Sequence, residues 1–338
     1  MKKVNLAVVG VGAVGVEIMR ILKQRDFPIN SLKVFARSAR QIDIDGNKYN
    51  VEAIADENFS NVDIALFAGT EGEKGAATLY ADKFVKKGAV VVDNGADFRM
   101  KDDVPLVVPE VNCDAIASNK GIIANPNCTT IQALVALGGI YKKFGMEKIV
   151  LTSFQATSGA GKSATVGLWE ETKELIAKND NVSFDNISKK VNKPIGFESQ
   201  IAFNAIPKIG GYGDDNYTSE EWKVVNETHK IFADNKIKIT ATCVRIPVFT
   251  SHSEAIYFRT KEDTGLSGIE EALKGSKGVV YTPDSFALPL DVEGKDDVYV
   301  SRVRRDRYEK NSFWLWCVAD NLRKGAALNA IQIAENLL

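Results

Sequence analysis

A run of apolar residues from Asn5 to Gly10 passes directly into Gly10-Val11-Gly12-Ala13-Val14-Gly15, and helical spacing of apolar residues continues from Ala13 to about Gln24. Strand, glycine turn and helix in that order form the context in which a G-x-G-x-x-G run becomes a dinucleotide-binding βαβ unit. The glycines permit a tight turn and a close approach of the backbone to a pyrophosphate, while the first N–H groups of the helix face the anion. A glycine turn used only for packing has the same letters, so the flanking strand and helix carry the argument. Gly10, Gly12, Ala13, Val14 and Gly15 are therefore candidate cofactor contacts.

The next segments extend the pattern. Leu32 to Ala36 reads as a second strand and ends at Arg37-Ser38. An NAD site carries an acidic residue near this point to hold the ribose 2′-hydroxyl. Arg37 with Ser38 suits a 2′-phosphate, so NADP(H) is expected over NAD. The competing reading makes Arg37 and Arg40 solvated loop charges. Val62 to Ala68 (running into Gly69-Thr70), Ala89 to Asn94 and Gly121 to Ala124 are further apolar strands, and a helix is expected from about Glu73 to Lys86. Apolar strands separated by helices predict a parallel sheet covered on both faces, a Rossmann-type doubly wound α/β domain. Ligands bind beyond the carboxyl ends of such strands, which makes Arg99, just past one of them, a candidate anion clamp, although taken alone it reads as a surface charge.

A chain of 338 residues, 45% of them hydrophobic, is long enough for two domains with their own cores. Lys and Arg (43) nearly cancel Asp and Glu (44), which argues against a general nucleic-acid or membrane-surface role. Met1-Lys2-Lys3 followed by apolar residues resembles a signal peptide, but the glycines and Glu17 interrupt it, and no apolar run is long enough to cross a bilayer. Cys113, Cys128, Cys243 and Cys317 are widely spaced and form no C-x-x-C pair. No metal is expected, and a reduced, cytoplasmic compartment fits best.

Cys128 stands out by position. In Asn125-Pro126-Asn127-Cys128-Thr129-Thr130 the residue before proline is pushed away from helical geometry, Asn127 is a good N-cap, and Ile131, Leu134 and Val135 recur at helical spacing toward Lys143. Cys128 is thus expected in the first turn of a helix, where N–H groups and the dipole lower a thiol pKa. That describes a nucleophile. The alternative is a buried packing cysteine.

From Lys148 onward the character changes. Ile149 to Phe154 is a strand leading into Gln155-Ala156-Thr157-Ser158-Gly159-Ala160-Gly161, and a helix follows at about Ala164–Ala177. Residues 179–217 read as irregular, and Ser219 to Phe232 as a helix capped by Ser219, with Glu220 and Lys223 on one face. Strands are expected within Lys236–Val248, around Ser251–Tyr257, and at Val279–Thr282, Val298–Val303 and Phe313–Ala319, with a last helix from Lys324 to Leu338. These predict an α+β domain on a mixed sheet. Only two histidines exist. His229 reads as a solvated helix residue, and His252 as either structural or the acid/base partner of Cys128. In one regular strand Arg245 and His252 would face opposite ways, so Pro247 or a turn near Thr250-Ser251 must break the alternation for both to face one site.

Four stretches now stand together: Asn125 to Gln132, Phe154 to Gly161, Arg245 to Ala255, and Asp320-Asn321-Leu322-Arg323-Lys324-Gly325-Ala326-Ala327. In this order they resemble the aspartate-β-semialdehyde dehydrogenases, over nearly the whole chain. The resemblance implies reversible, NADPH-dependent reductive dephosphorylation of L-aspartyl 4-phosphate to L-aspartate 4-semialdehyde, in the biosynthesis of lysine, threonine, methionine and diaminopimelate. It implies that Cys128 is the nucleophile forming a thioacyl intermediate, His252 the acid/base, and Gln155 the residue placing the substrate. Arg245 would bind the α-carboxylate, Arg99 and Lys223 the phosphate, and Glu220 would face the amino group, with Asn127 beside them. Gly12 to Gly15, Arg37, Ser38, Ser158, Gly159 and Asn321 fall on NADP-binding positions. The resemblance further implies a nucleotide-binding domain of residues 1–127 and 320–338, closed by the C-terminal helix, a catalytic and dimerisation domain of 128–319, and a homodimer or tetramer.

The glycine turn departs from the family's usual loop, which has an extra residue between its first two glycines, and Gly69 to Ala77 is also less typical. Two rival enzymes fit less well. N-acetyl-γ-glutamyl-phosphate reductase usually places Gly before the cysteine and an aromatic residue after it, where Asn127 and Thr129 stand here. Glyceraldehyde-3-phosphate dehydrogenase shares Cys-Thr-Thr, but its histidine follows sooner; the first one here is His229. A non-catalytic relative would be expected to lose Cys128, Gln155 or His252, and all three are present.

Overall fold

A computed structural model describes residues 3–55, 59–69, 72–179 and 190–338. Thr70 and residues 180–189, on which two of the expectations fall, lie outside them.

The first half alternates strands and helices: β1 (Val4–Val9), α1 (Ala13–Gln24), β2 (Ile29–Ala36), β3 (Arg40–Ile44), β4 (Asn47–Ala53), β5 (Ile64–Phe67), α2 (Ala76–Lys86), β6 (Val90–Asp93), the short α3 (Pro109–Asn112) and β7 (Ile122–Ala124). They form a seven-stranded sheet in the order β3-β4-β2-β1-β5-β6-β7, parallel except for β3. Side chains alternate cleanly between its faces. Leu6, Val8, Ile64, Leu66 and Val92 share a core with α1 and the C-terminal helix, while Ala7, Val9, Ala65, Phe67 and Val91 pack with α2. The winding reverses between β1 and β5, so a crevice opens beyond their carboxyl ends. Gly15 closes the first turn by contact: a Cβ there would lie 2.0 Å from the Gly10 carbonyl oxygen.

The second half comprises α4 (Cys128–Phe144), β8 (Lys148–Gln155), α5 (Lys162–Ala177), α6 (Ser219–Phe232), β9 (Lys238–Arg245), β10 (His252–Arg259), α7 (Leu266–Lys274), β11 (Val279–Thr282), α8 (Pro289–Val292), β12 (Val298–Arg305) and β13 (Ser312–Ala319). Its mixed six-stranded sheet runs β11-β12-β13-β10-β8-β9. One face is buried under α4, α6 and α7. The other carries Val150, Phe154, Tyr257, Trp314 and Trp316, all half-buried.

Several expectations need correction. The hairpin β3–β4 was not anticipated, although its signal is present: Asp45-Gly46, both at positive φ, is the turn of a tight hairpin. Helix α6 is capped by Thr218, whose side chain accepts from Glu221 N–H while Glu221 returns a bond to Thr218 N–H; Ser219 is already helical. The last helix opens with a π-helical turn, Arg323–Ala327, before α9 (Leu328–Glu335). His229 is not solvated: it is half-buried, with Nε2 2.8 Å from the Ile237 carbonyl oxygen. Among the described residues, no helix is long and apolar enough to cross a membrane.

Candidate active site

Cys128 is the first residue of α4, and the Asn127 side chain caps the helix by accepting from Thr129 and Thr130 N–H. Beneath it, three strand ends meet. Gln155 ends β8 and pairs in register with Arg245, the end of β9. His252 opens β10, which runs antiparallel to β8 with Ser253 opposite Phe154. Arg245 and His252 therefore lie on separate strands flanking β8, and the alternation problem disappears. The turn between them includes Ser251 at φ 70°.

Cys128 Sγ lies 3.4 Å from His252 Nε2. The Ala156 N–H donates to His252 Nδ1 at 3.1 Å, so in the neutral ring the proton is on Nε2 and points at the sulfur. Burial, with Arg245 nearby, holds the imidazole well below its usual pKa and therefore neutral. The expectation of an acidified thiol is not met. Burial and the Glu220 carboxylate push the Cys128 pKa up to about 12, against the opposing pull of Arg245, Arg99 and Lys223. The helix N-terminus does not outweigh desolvation and a neighbouring anion.

Glu220 is buried and accepts from Asn127 Nδ2 (3.0 Å) and Gln155 Nε2 (3.2 Å), with Lys223 at 3.6 Å. Gln155 also reaches Thr129 Oγ1 at 2.8 Å. Arg245 donates from Nη1 to the Ala156 carbonyl, and its buried Nε has no partner among the described residues. Arg99 donates to the carbonyls of Asn125 and Asn94 and to Glu227. Glu227 was missed by the sequence reading. It holds Arg99 at 3.0 Å and accepts the Asn127 N–H at 2.7 Å. The available signal was helical spacing, since Glu220, Lys223 and Glu227 recur at i, i+3 and i+7 on α6.

The C-terminal motif completes the wall. Asn321 Oδ1 accepts from Ser158 Oγ and Ser251 N–H, which ties the Gly159 loop to the histidine turn. Gly325, also unanticipated, abuts Cys128: a Cβ on it would lie 2.9 Å from Cys128 Cβ.

A cleft of about 590 Å³ gathers Gly12, Ala13, Val14, Arg99, Asn127, Cys128, Gln155, Ser158, Gly159, Glu220, Lys223, Arg245 and Asn321. A second, of about 730 Å³, contains Gly10, Gly12, Arg37, Ser38 and Arg40. The two share Gly12 and Ala68, at the crevice between β1 and β5. Arg37 and Ser38 thus stand apart from the sulfur, and Gly15 lines neither cleft but supports the turn.

Residues 5–119 match the family "Semialdehyde dehydrogenase, NAD binding domain", and residues 137–324 match "Semialdehyde dehydrogenase, dimerisation domain". The chain is 43% identical to aspartate-semialdehyde dehydrogenase of Aquifex aeolicus, covering 99% of this chain and 98% of that protein. The chain belongs to the aspartate-semialdehyde dehydrogenase family. The Bacillus subtilis member is 40% identical, covering 98% and 97% of the two chains. Aspartate semialdehyde dehydrogenase II from Vibrio cholerae superposes with a TM-score of 0.91 at 41% identity over 99% and 98% of the chains, and a second structure of that enzyme, complexed with ASA, gives 0.91 at 40% over 100% and 98%. The protein is accordingly an oxidoreductase of amino-acid biosynthesis, with a domain of the dinucleotide-binding type and a dimerisation domain.

Proposed function

We propose that the protein reduces L-aspartyl 4-phosphate to L-aspartate 4-semialdehyde, reversibly and with NADPH, through a thioester on Cys128. The observation that carries this reading is the 3.4 Å approach of Cys128 Sγ to a His252 Nε2 whose proton the Ala156 amide directs at the sulfur. The surrounding charges suit this substrate. The Arg245 guanidinium suits an α-carboxylate, Glu220 an ammonium group, and the positive charges of Lys223 and Arg99 a phosphate.

Glu220 and burial hold the thiol pKa up, so the charge on the substrate has to tip the balance. An ammonium group on Glu220 neutralises the anion that opposes the thiolate. The sulfur then attacks the acyl carbon, the thiol proton leaves with the departing phosphate as hydrogen phosphate, and the thioester remains on Cys128. N–H groups at the start of α4 stabilise the oxyanion. A bound nicotinamide supplies the hydride that reduces this thioester. His252 donates a hydrogen bond from Nε2–H to the oxyanion of the resulting tetrahedral adduct, which collapses to the aldehyde and expels the Cys128 thiolate.

The joined clefts fit a dinucleotide, with exposed backbone at Gly12 and with Arg37, Ser38 and Arg40 at the far end for a 2′-phosphate. This supports NADP(H) over NAD. We assign residues 1–127 and 320–338 to the nucleotide-binding domain, since α9 shares a core with β1, and residues 128–319 to the catalytic and dimerisation domain. A homodimer joined through the half-buried aromatic face of the six-stranded sheet, working in the cytoplasm within lysine, threonine and methionine synthesis, follows from the same reading.

The test is turnover of aspartate semialdehyde with phosphate and NADP⁺, set against N-acetyl-glutamate semialdehyde and glyceraldehyde 3-phosphate. Aspartate semialdehyde is expected to be preferred, and C128A to lose turnover by at least about 10⁴-fold while still binding NADPH. Preference for another aldehyde, or an active C128A, refutes the assignment.

A further inference from the structure

A second polar row lies directly beneath the catalytic one. Strand residues two apart share a face. The strands that bring His252, Gln155 and Arg245 together also align Cys317, Glu254, Ser153 and Cys243 one step deeper: Glu254 pairs with Cys317 and with Ser153, and Ser153 with Cys243. On α4, Gln132 follows Cys128 by four residues, a rise of about 6 Å. The two-residue step along a strand is about 6.6 Å, so Cys128 stands over the outer row and Gln132 over the inner one. Gln132, Glu254, Ser153 and both cysteines of the inner row are fully buried. Gln132 Nε2 donates to the His252 main-chain oxygen at 3.3 Å, joining the nucleophile's helix to the strand that carries its partner.

With an ionised Glu254 this row is left unsatisfied. The groups facing Glu254 are Gln132 from α4, Cys317 from β13, Ser153 from β8 and, beyond it, Cys243 from β9, and no Lys or Arg among the described residues pairs with it. Its Oε2 accepts the Cys317 S–H at 3.5 Å, while its Oε1 has no hydrogen-bond partner among the described residues. Gln132 Oε1, in the same cluster, has none either. Two buried acceptors lacking donors, one of them a charge, are costly, and a single proton relieves both.

We propose that Glu254 is a neutral carboxylic acid that donates its O–H to Gln132 Oε1 and acts as a positioning residue for the Cys128–His252 pair. It holds the Gln132 amide so that Nε2 stays on the His252 carbonyl, which fixes how closely the imidazole approaches the sulfur. Burial raises the Glu254 pKa well above the usual carboxylate range, outweighing the contacts of Cys317 and Gln132 that pull it down. The inference rests on Cys128 and His252 being the reacting pair.

E254Q and E254L separate a neutral donor from a mere filler of space. Glutamine keeps the shape and supplies an N–H, so kcat of E254Q stays within about twofold of wild type. Leucine supplies no donor, so kcat of E254L falls about 30-fold, while KM for aspartate semialdehyde shifts less than about threefold because the substrate contacts lie in the outer row. The infrared difference between wild type and E254Q at neutral pH shows the C=O band of a protonated carboxyl. Carboxylate bands in that spectrum, an E254Q that fails to fold or loses kcat as E254L does, or an E254L with wild-type kcat each overturn the proposal. If E254L fails to fold, the spectrum and E254Q still decide. An active C128A would instead refute the reading beneath it, and the spectrum would still report the state of Glu254.

Discussion

Around Cys128 the polar side chains are buried and already bonded to one another, whereas Arg37, Ser38 and Arg40 stand exposed in a cleft floored by backbone. On the proposed function both regions hold anions, but by different physics. The nucleotide cleft uses exposed backbone and solvated charges, so each contact there adds a modest, separable amount. In the catalytic pocket, Glu220, Glu227, Arg99 and Gln155 share partners, and removing one leaves another buried and unsatisfied. Substitutions should therefore act nearly all-or-none in the pocket and by degrees in the cleft.

The sharpest way to break that contrast is H252N. With no group of matching acidity facing the sulfur, kcat should fall about 10³-fold while the Kd for NADPH, measured by fluorescence titration, stays within about twofold. A small loss would show that the buried histidine is structural. A weaker contrast is expected from R37A. Losing one charge-assisted contact should lower the preference for NADP over NAD about tenfold in kcat/KM, with kcat at saturating NADPH unchanged. An unchanged preference would make Arg37 a solvated loop charge. The smallest effect concerns stability. His252 is neutral when folded, but in the unfolded chain it takes up a proton below about pH 6.5. The stability it contributes is present above that pH and lost as pH falls. The fall in Tm between pH 7 and 5 should be shallower in H252N than in wild type, and R37A should follow wild type.

The same contrast governs what the sequence reveals. The glycine turn and its helix are local, and the limits Ala13 to Gln24 read from the letters are those of α1. Asn127 as the cap of α4 was legible for the same reason. The β3–β4 hairpin was overlooked because its strands are polar and only Asp45-Gly46 marks it. In the pocket, the place of Cys128 at the start of α4 was legible, but the acidity of the thiol was not. That property depends on burial and on Glu220, 92 residues away in the chain, which no helix-end argument contains. Gly325 escaped notice because its function is to be absent as a side chain beside Cys128, and only coordinates show what lies next to it.

One experiment addresses the sulfur directly. Enzyme mixed with aspartate semialdehyde and NADP⁺ but no phosphate, then acid-quenched and digested, should yield the peptide containing Cys128 carrying an aspartyl thioester, formed together with a burst of about one NADPH per site. A burst without a mass increase on that peptide, or an adduct on Cys113 instead, would contradict the account.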